Sequence, residues 1–341
     1  MQAKTRPSPW PALPALAPAT ALAGLLLAAP ALAAEKTILI LHKGGESLGF
    51  YDAATGKSRA VVPVGTVPHE MVLSADRRLL YVTNYGVGSY TTKEEGGHTV
   101  SIVDLARREK VGEIDLGACR RPHGIQRGRS GRLYVTVDTP GSLLVIDPAA
   151  RAVVTRVDLG QALPHMVAVA DDETRAWTAN AGAGTVTAVR FGPPAALRQI
   201  AVGGVPMGLV LSPDGTRAFV ATRGGNEVVT IDTETDLVVD RMRVDGSPAR
   251  LCFTKDGKRL LVSLLESGEV AVLDLWARRE ERRFKVGAHA EGMSVDPAGA
   301  FGYVSAQGDD KVVRFSLRDW QTTLTIPTAS RPDPIIVLEG R

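Results

Sequence analysis

The chain has 341 residues, 44% of them hydrophobic, with 40 lysines and arginines against 37 aspartates and glutamates and a net charge of +3. That near balance gives no basis for binding nucleic acid or an anionic membrane surface, while the length and apolar fraction are ample for one large core. The only cysteines are Cys119, read as lying in a loop, and Cys252, read as lying in a strand of a distant repeat; no disulfide is expected and stability must rest on burial.

Residues 1–33 have the composition of a leader. Lys4 and Arg6 form a basic start, an apolar run follows over 21–29, and Ala31-Leu32-Ala33 has the small-x-small pattern of a signal peptidase site. Cleavage after Ala33 would leave residues 34–341 as one exported domain, periplasmic or secreted, with a net charge of about +1. The apolar run is shorter than the roughly 20 residues a membrane-spanning helix needs, and no later stretch is long enough, so no membrane span is expected.

From there the chain repeats. One position just after a Pro-containing turn reads His69, His123, His165, Met207, Ala249, Glu291 and Asp333, with 54 residues in the first step and 42 in every later one. A period near 40 with four short strands in each copy specifies an all-β, seven-bladed β-propeller with four antiparallel strands per blade. Each repeat predicts an inner strand, a Ser/Asp-Pro-Asp-Gly type turn, a β-rich second strand such as Leu80-Tyr81-Val82-Thr83-Asn84, a Gly/Asn loop, a third strand and a fourth. The third strands are expected to end at Asp52, Asp104, Asp147, Phe191, Asp232, Asp274 and Ser316. At the start, Thr37 to Leu41 matches a second strand; at the end, Pro334 to Leu338 matches an inner strand without the rest of its blade. The C-terminal strand should therefore pair with the N-terminal three and close the ring, hiding strand edges that would otherwise invite aggregation. Trp177 falls in a second strand and is expected in the core; Trp276 and Trp320 follow strand ends, where packing between blades is the expected role.

Strand direction alternates within a blade, so the loop entering the inner strand and the loop joining strands two and three share one face of the disc. All seven period-marking residues should ring the mouth of the central channel on that face. The long 54-residue step places its insertion there too, from Asn84 to Thr99, about ten residues longer than the corresponding loop from Asn180 to Thr185 and carrying Tyr85, Tyr90, Lys93, Glu94, Glu95 and His98. A long loop over one face acts as a lid or a partner surface.

Three imidazoles from consecutive blades followed by the Met207 thioether make His69, His123, His165 and Met207 a candidate metal set, of a type that suits copper or zinc better than calcium. Histidine at this turn equally suits hydrogen bonding to neighbouring backbone. Arg121, Arg250 and Arg331 approach the same mouth and could clamp a carboxylate or phosphate, or pair instead with Glu70, Glu291 or Asp333 across the channel. The candidate ligand-binding set is thus His69, Glu70, Tyr85, Tyr90, Arg121, His123, His165, Met207, Arg250, Glu291, Arg331 and Asp333. There is no Gly-x-Ser-x-Gly elbow, His-Glu-x-x-His helix, phosphate-binding Gly-rich loop before a helix, or Cys-x-x-Cys-His haem attachment.

The Tyr-Val-Thr-Asn at 81–84, the Ser-Pro-Asp-Gly at 212–215 and the Val-x-x-Ile-Asp strands resemble the YVTN-type β-propeller repeat proteins, across essentially the whole chain after the leader. That resemblance implies the propeller fold and an exported binding module holding a protein partner or a small ligand, and a flat polar propeller is expected to be a monomer; the resemblance does not fix an activity. Asn84-Tyr85-Gly86-x-Gly88-Ser89 is similar to a stretch of seven-bladed lactonases, and Ala290-Glu291 falls where that family keeps a channel glutamate. An enzyme of this kind would use His123 or Glu291 as base, with Arg121 or Arg331 holding the carbonyl oxygen. The repeat style is also similar to the propeller of periplasmic haem-containing nitrite reductases, which use channel histidines and imply a metal or haem carrier or assembly role.

Overall fold

The computed structural model describes residues 36–340; the leader expected over 1–33 lies outside the described residues. Seven four-stranded sheets carry the chain, and every neighbouring pair of strands is antiparallel. The first blade is built from both ends of the chain. Pro332–Leu338 pairs with Thr37–His42 and takes the inner place, followed outward by Ser47–Asp52 and Ser58–Pro63. The six other blades occupy 68–115, 120–158, 164–201, 206–243, 248–285 and 290–327, each in sequential order from axis to rim. The one helical element among the described residues is a short 3-10 turn, Gln307–Asp309.

The burial of each strand follows its radial place. Second strands such as Leu79–Asn84 and Arg217–Thr222 are buried on both faces after their first residue, because neighbouring blades cover both sides. Outer strands such as Ala152–Asp158 are mostly exposed and send single residues inward. The apolar core accordingly lies between blades: Trp177, Ala179, Val220 and Ile231 pack together from adjacent sheets, as do Phe315, Trp320 and Val272.

Third strands end in aspartate for a local reason. In five blades the carboxylate of Asp52, Asp104, Asp147, Asp232 or Asp274 accepts hydrogen bonds from the backbone N–H groups two and three residues on, which turns the chain sharply into the outer strand. Of the two blades without such an aspartate, one has the third strand Lys311–Ser316 as expected, and in the other it is Thr185–Arg190, one residue short of the expected Phe191. The same turn corrects the expectation for Trp276. It sits at the second position after Asp274, where the turn projects its side chain into solvent, and it is 96% exposed. Trp177 and Trp320 are buried, and the indole N–H of Trp177 donates to Asp236 Oδ1 at 3.1 Å.

The inner strands carry the feature that builds the site. In all seven blades the ladder to the second strand loses one residue of register near the start of the inner strand, between Pro68 and Met71, Pro122 and Ile125, Pro164 and Val167, Pro206 and Leu209, Pro248 and Leu251, Ala290 and Met293, and Pro332 and Ile335. Three residue steps on the inner strand face two on its neighbour, which defines a β-bulge and re-aims the side chains within it. The freed backbone groups find side-chain partners. Thr83 Oγ1 accepts from Glu70 N at 3.0 Å and donates to His123 O of the next blade at 2.8 Å, and Thr136 Oγ1 does the same for Gly124 N and His165 O. The residue ahead of the bulge lies in the left-handed region in six of the seven blades: Val67, Arg121, Leu163, Ser247, His289 and Arg331 have φ between 43° and 68°. That conformation costs a non-glycine residue about 1–2 kcal/mol and is a form of strain that clusters at ligand sites.

Candidate functional site: the cavity at one channel mouth

The bulges bring the period-marking side chains to the axis. His69, His123 and His165 form a stack, with ring centroids 3.7 Å apart for the first pair and 3.8 Å for the second, and Tyr85 stands 5.4 Å from both His69 and His123. These rings form one wall of a cavity of about 440 Å³, which Met207 and Glu291 continue around the ring. Burial holds all three imidazoles well below their ordinary pKa, and the surrounding cations Lys43 and Arg250 push in the same direction, so they are neutral at pH 7. The Nδ1–H of His165 donates to Met207 O at 3.1 Å; the Nδ1 atoms of His69 and His123 are buried with no hydrogen-bond partner.

Beneath the stack the channel is closed by charge pairs. Arg250 bonds the Glu70 carboxylate directly and lies 3.7 Å from Asp333, while Lys43 holds Asp333 at 2.5 Å; all four side chains are buried. Burial raises the pKa of Glu70, helped by Asp333 and Glu291 and opposed by Arg250 and Lys43. Glu291 stands at the wall with Arg223 3.8 Å away. Close approach of the inner strands here requires glycine. A Cβ on Gly208 would lie 2.5 Å from Ala249 O, and one on Gly124 would lie 2.5 Å from His165 O.

Tyr85, Val87, Gly88, Ser89 and Tyr90, from the insertion, also line the cavity. Tyr85 is buried and its hydroxyl donates to Asp138 Oδ2 at 2.5 Å, whereas Tyr90 is half exposed at the rim. Burial pushes the Asp138 carboxyl up to about 6, against the opposing pull of the Tyr85 hydroxyl and Arg121. Arg121 departs from its expected place. Its guanidinium turns away from the cavity and donates to the carbonyls of Tyr90, Thr92 and Glu94, and its backbone N–H donates to Gly97 O at 2.7 Å, so it fastens the insertion. The physical reason is the long loop found only in this step of the repeat, whose carbonyls capture the guanidinium; Arg331, with the same left-handed backbone, has no such loop over it. Arg331 does line the cavity; Arg250 and Asp333 lie in the floor network below it.

Three charged lining residues escaped the sequence reading, Lys43, Asp138 and Arg223, as did His289. Each of the three charged residues occupies the position just past the second strand's last inward residue, which forms a second ring with Tyr85, Ala181, Leu265 and Gln307. A signal for it was present, since Lys43 and Tyr85 are 42 residues apart, as are 181, 223, 265 and 307 in turn, with Asp138 offset by the insertion between Tyr85 and Ala181.

A seven-bladed propeller with a ligand-sized cavity at one channel mouth defines the class of this protein. The chain belongs to the YNCE-like beta-propeller family, whose profile matches residues 121–299. Among solved structures it is similar to Kuenenia stuttgartiensis hydrazine synthase, at 20% identity over 84% of this chain and 93% of that one with a TM-score of 0.72. The periplasmic gluconolactonase PpgL of Pseudomonas aeruginosa is 18% identical, with 90% and 100% of the two chains covered and a TM-score of 0.72. The dihydro-heme d1 dehydrogenase NirN in complex with DHE is 15% identical, with 88% and 74% covered and a TM-score of 0.62. These likenesses establish the fold and carry no activity to this chain. No curated protein matches the chain by sequence. No helix among the described residues is long and apolar enough to cross a membrane.

Proposed function

We propose that the chain is an exported binding module that takes a small anionic ligand into the cavity at the channel mouth. The observation that carries this reading is the asymmetry of the cavity. Tyr85, Tyr90, Leu163 and Met207 supply an apolar and aromatic wall, and Arg223 and Arg331 supply guanidinium groups for an anionic group. A volume of about 440 Å³ suits a small molecule better than a folded partner. Export rests on the leader features of residues 1–33. The test is a thermal-shift and calorimetric titration with 4-hydroxybenzoate and gluconate, run on wild type, Arg223→Gln and a deletion of residues 86–97. At least one probe should bind wild type and lose at least tenfold in affinity in both variants. Binding of neither probe, or equal binding by all three proteins, would refute the proposal.

One observation favours a hydrolytic second reading: His69 and His123 are neutral and each keeps a free Nδ1 beside the cavity, the state required of a general base. Turnover of glucono-1,5-lactone by wild type and its loss in His123→Ala would support that reading, and an inactive wild type would end it.

A further inference from the structure

We propose that His69, Glu70 and His123 form a binding site for one divalent transition-metal ion, of the zinc or copper class, at the base of the mouth cavity. The inference deepens the binding reading above and rests on it for the accessibility of the site. One ligating atom from each of the three residues lies within 4.8 Å of the others, a separation that small side-chain rotations can close onto an ion about 2.0–2.2 Å from each donor. The donor set is two imidazoles and one carboxylate, which leaves coordination positions open in the manner of sites that accept a further ligand.

The orphaned nitrogen atoms supply independent support. A buried polar atom without a partner requires an explanation, and an unseen ion or water is a principal one. The Nδ1 atoms of His69 and His123 are two such atoms on adjacent blades. His165, third in the stack, differs: its Nδ1 is committed to Met207 O, leaving Nε2 alone, and it is not one of the three residues whose ligating atoms gather within 4.8 Å. Glu70 takes its place because the bulge turns two consecutive residues, His69 and Glu70, toward the axis, with Glu70 Oε1 3.8 Å from His69 Nδ1.

The charges nearby are compatible with a cation. Lys43 and Arg250 are matched by Asp333 and Glu70, and Glu291 is paired with Arg223. Arg250 engages Glu70 through Oε1, the oxygen that faces His69 Nδ1, and an ionised carboxylate oxygen has a second lone pair with which to ligate while keeping the guanidinium. An ion here would add positive charge beside a cavity already lined by Arg223 and Arg331, so the ligand class narrows to anions that also coordinate metals, such as carboxylates and hydroxycarboxylates.

The test uses the full exported chain, stripped with EDTA and titrated with Co(II) followed by visible absorption and with Zn(II) followed by calorimetry, no organic anion being present. The expected result is one equivalent of metal per chain and a Co(II) spectrum more intense than that of the aqua ion. Affinity should fall at least 100-fold in His123→Ala and in His69→Ala, at least tenfold in Glu70→Gln, and remain unchanged in the surface variant His98→Ala. Circular dichroism of each variant confirms folding, and having two independent histidine variants keeps the test decisive if one fails to fold. No stoichiometric binding, or binding that survives both histidine variants, or binding lost in His98→Ala, overturns the site. Titrating the EDTA-treated protein with 4-hydroxybenzoate and gluconate reads the cavity alone, so failure of the metal site and failure of the binding module give different results.

Discussion

Replacing Asp138 by asparagine should stabilise the protein at neutral pH and leave it unchanged in acid. Asp138 lies at the cavity rim with its carboxyl held at about 6, against 3.8 for an ordinary aspartate, chiefly because burial disfavours the charge. Between those two values the folded state binds more protons than the unfolded state, so stability falls as pH rises through the window and stays reduced above it. The difference corresponds to at most about 3 kcal/mol at pH 7.5, and partial access of the rim to water brings the expected gain to about 1–3 kcal/mol. Asparagine removes the charge but keeps an oxygen that can accept from the Tyr85 hydroxyl, now at 2.5 Å. Melting of Asp138→Asn and wild type should differ by about 2–8 °C at pH 7.5 and converge near pH 4. Tyr85→Phe is the complementary change. It leaves the ionised carboxylate without its donor and should destabilise by about 1–3 kcal/mol at pH 7.5. A difference between Asp138→Asn and wild type that is absent at pH 7.5, or that does not change with pH, would refute the assignment of a buried, reluctant carboxylate.

Other consequences are as accessible. Arg121→Ala removes the donors that fasten the carbonyls of Tyr90, Thr92 and Glu94, so amide exchange over residues 86–97 should rise at least tenfold while the blades keep their protection; unchanged exchange would show that the loop is held otherwise. Gly208→Ala places a Cβ 2.5 Å from Ala249 O and 3.1 Å from Arg250 Cα, both on the adjoining inner strand, and should cost about 1–3 kcal/mol in a urea melt. His42 is buried between Ser47 Oγ and Tyr51 OH, each 3.0 Å away, and burial lowers its pKa to about 4 from 6.5. The unfolded state therefore takes up more protons between those values, and stability is lost as pH falls from 6.5 to 4, by up to about 3 kcal/mol from this residue. His42→Gln should flatten that part of the pH–stability curve. Trp276→Ser should alter stability by less than about 0.5 kcal/mol and remove a solvent-quenchable contribution to the tryptophan emission, since the indole is 96% exposed.

The 42-residue interval was sufficient to count the blades, place the strands within each, and pick out His69, His123, His165, Met207 and Glu291 as residues at the axis. A repeat that cannot bury its own faces must stack on copies of itself, so periodic strand signals carry the architecture within the linear order of residues. Tertiary structure decided how those residues are presented. Simple strand alternation would send His69 and Glu70 to opposite faces; the bulge between Pro68 and Met71 shifts that parity and brings both to the axis. The direction of Arg121 was likewise set by the carbonyls of a loop with no counterpart in the other repeats, and the solvent position of Trp276 by an aspartate turn. Residue spacing determines which side chains share a ring, whereas the partner each one meets across that ring depends on backbone irregularities of a single residue and on contacts between blades far apart in sequence.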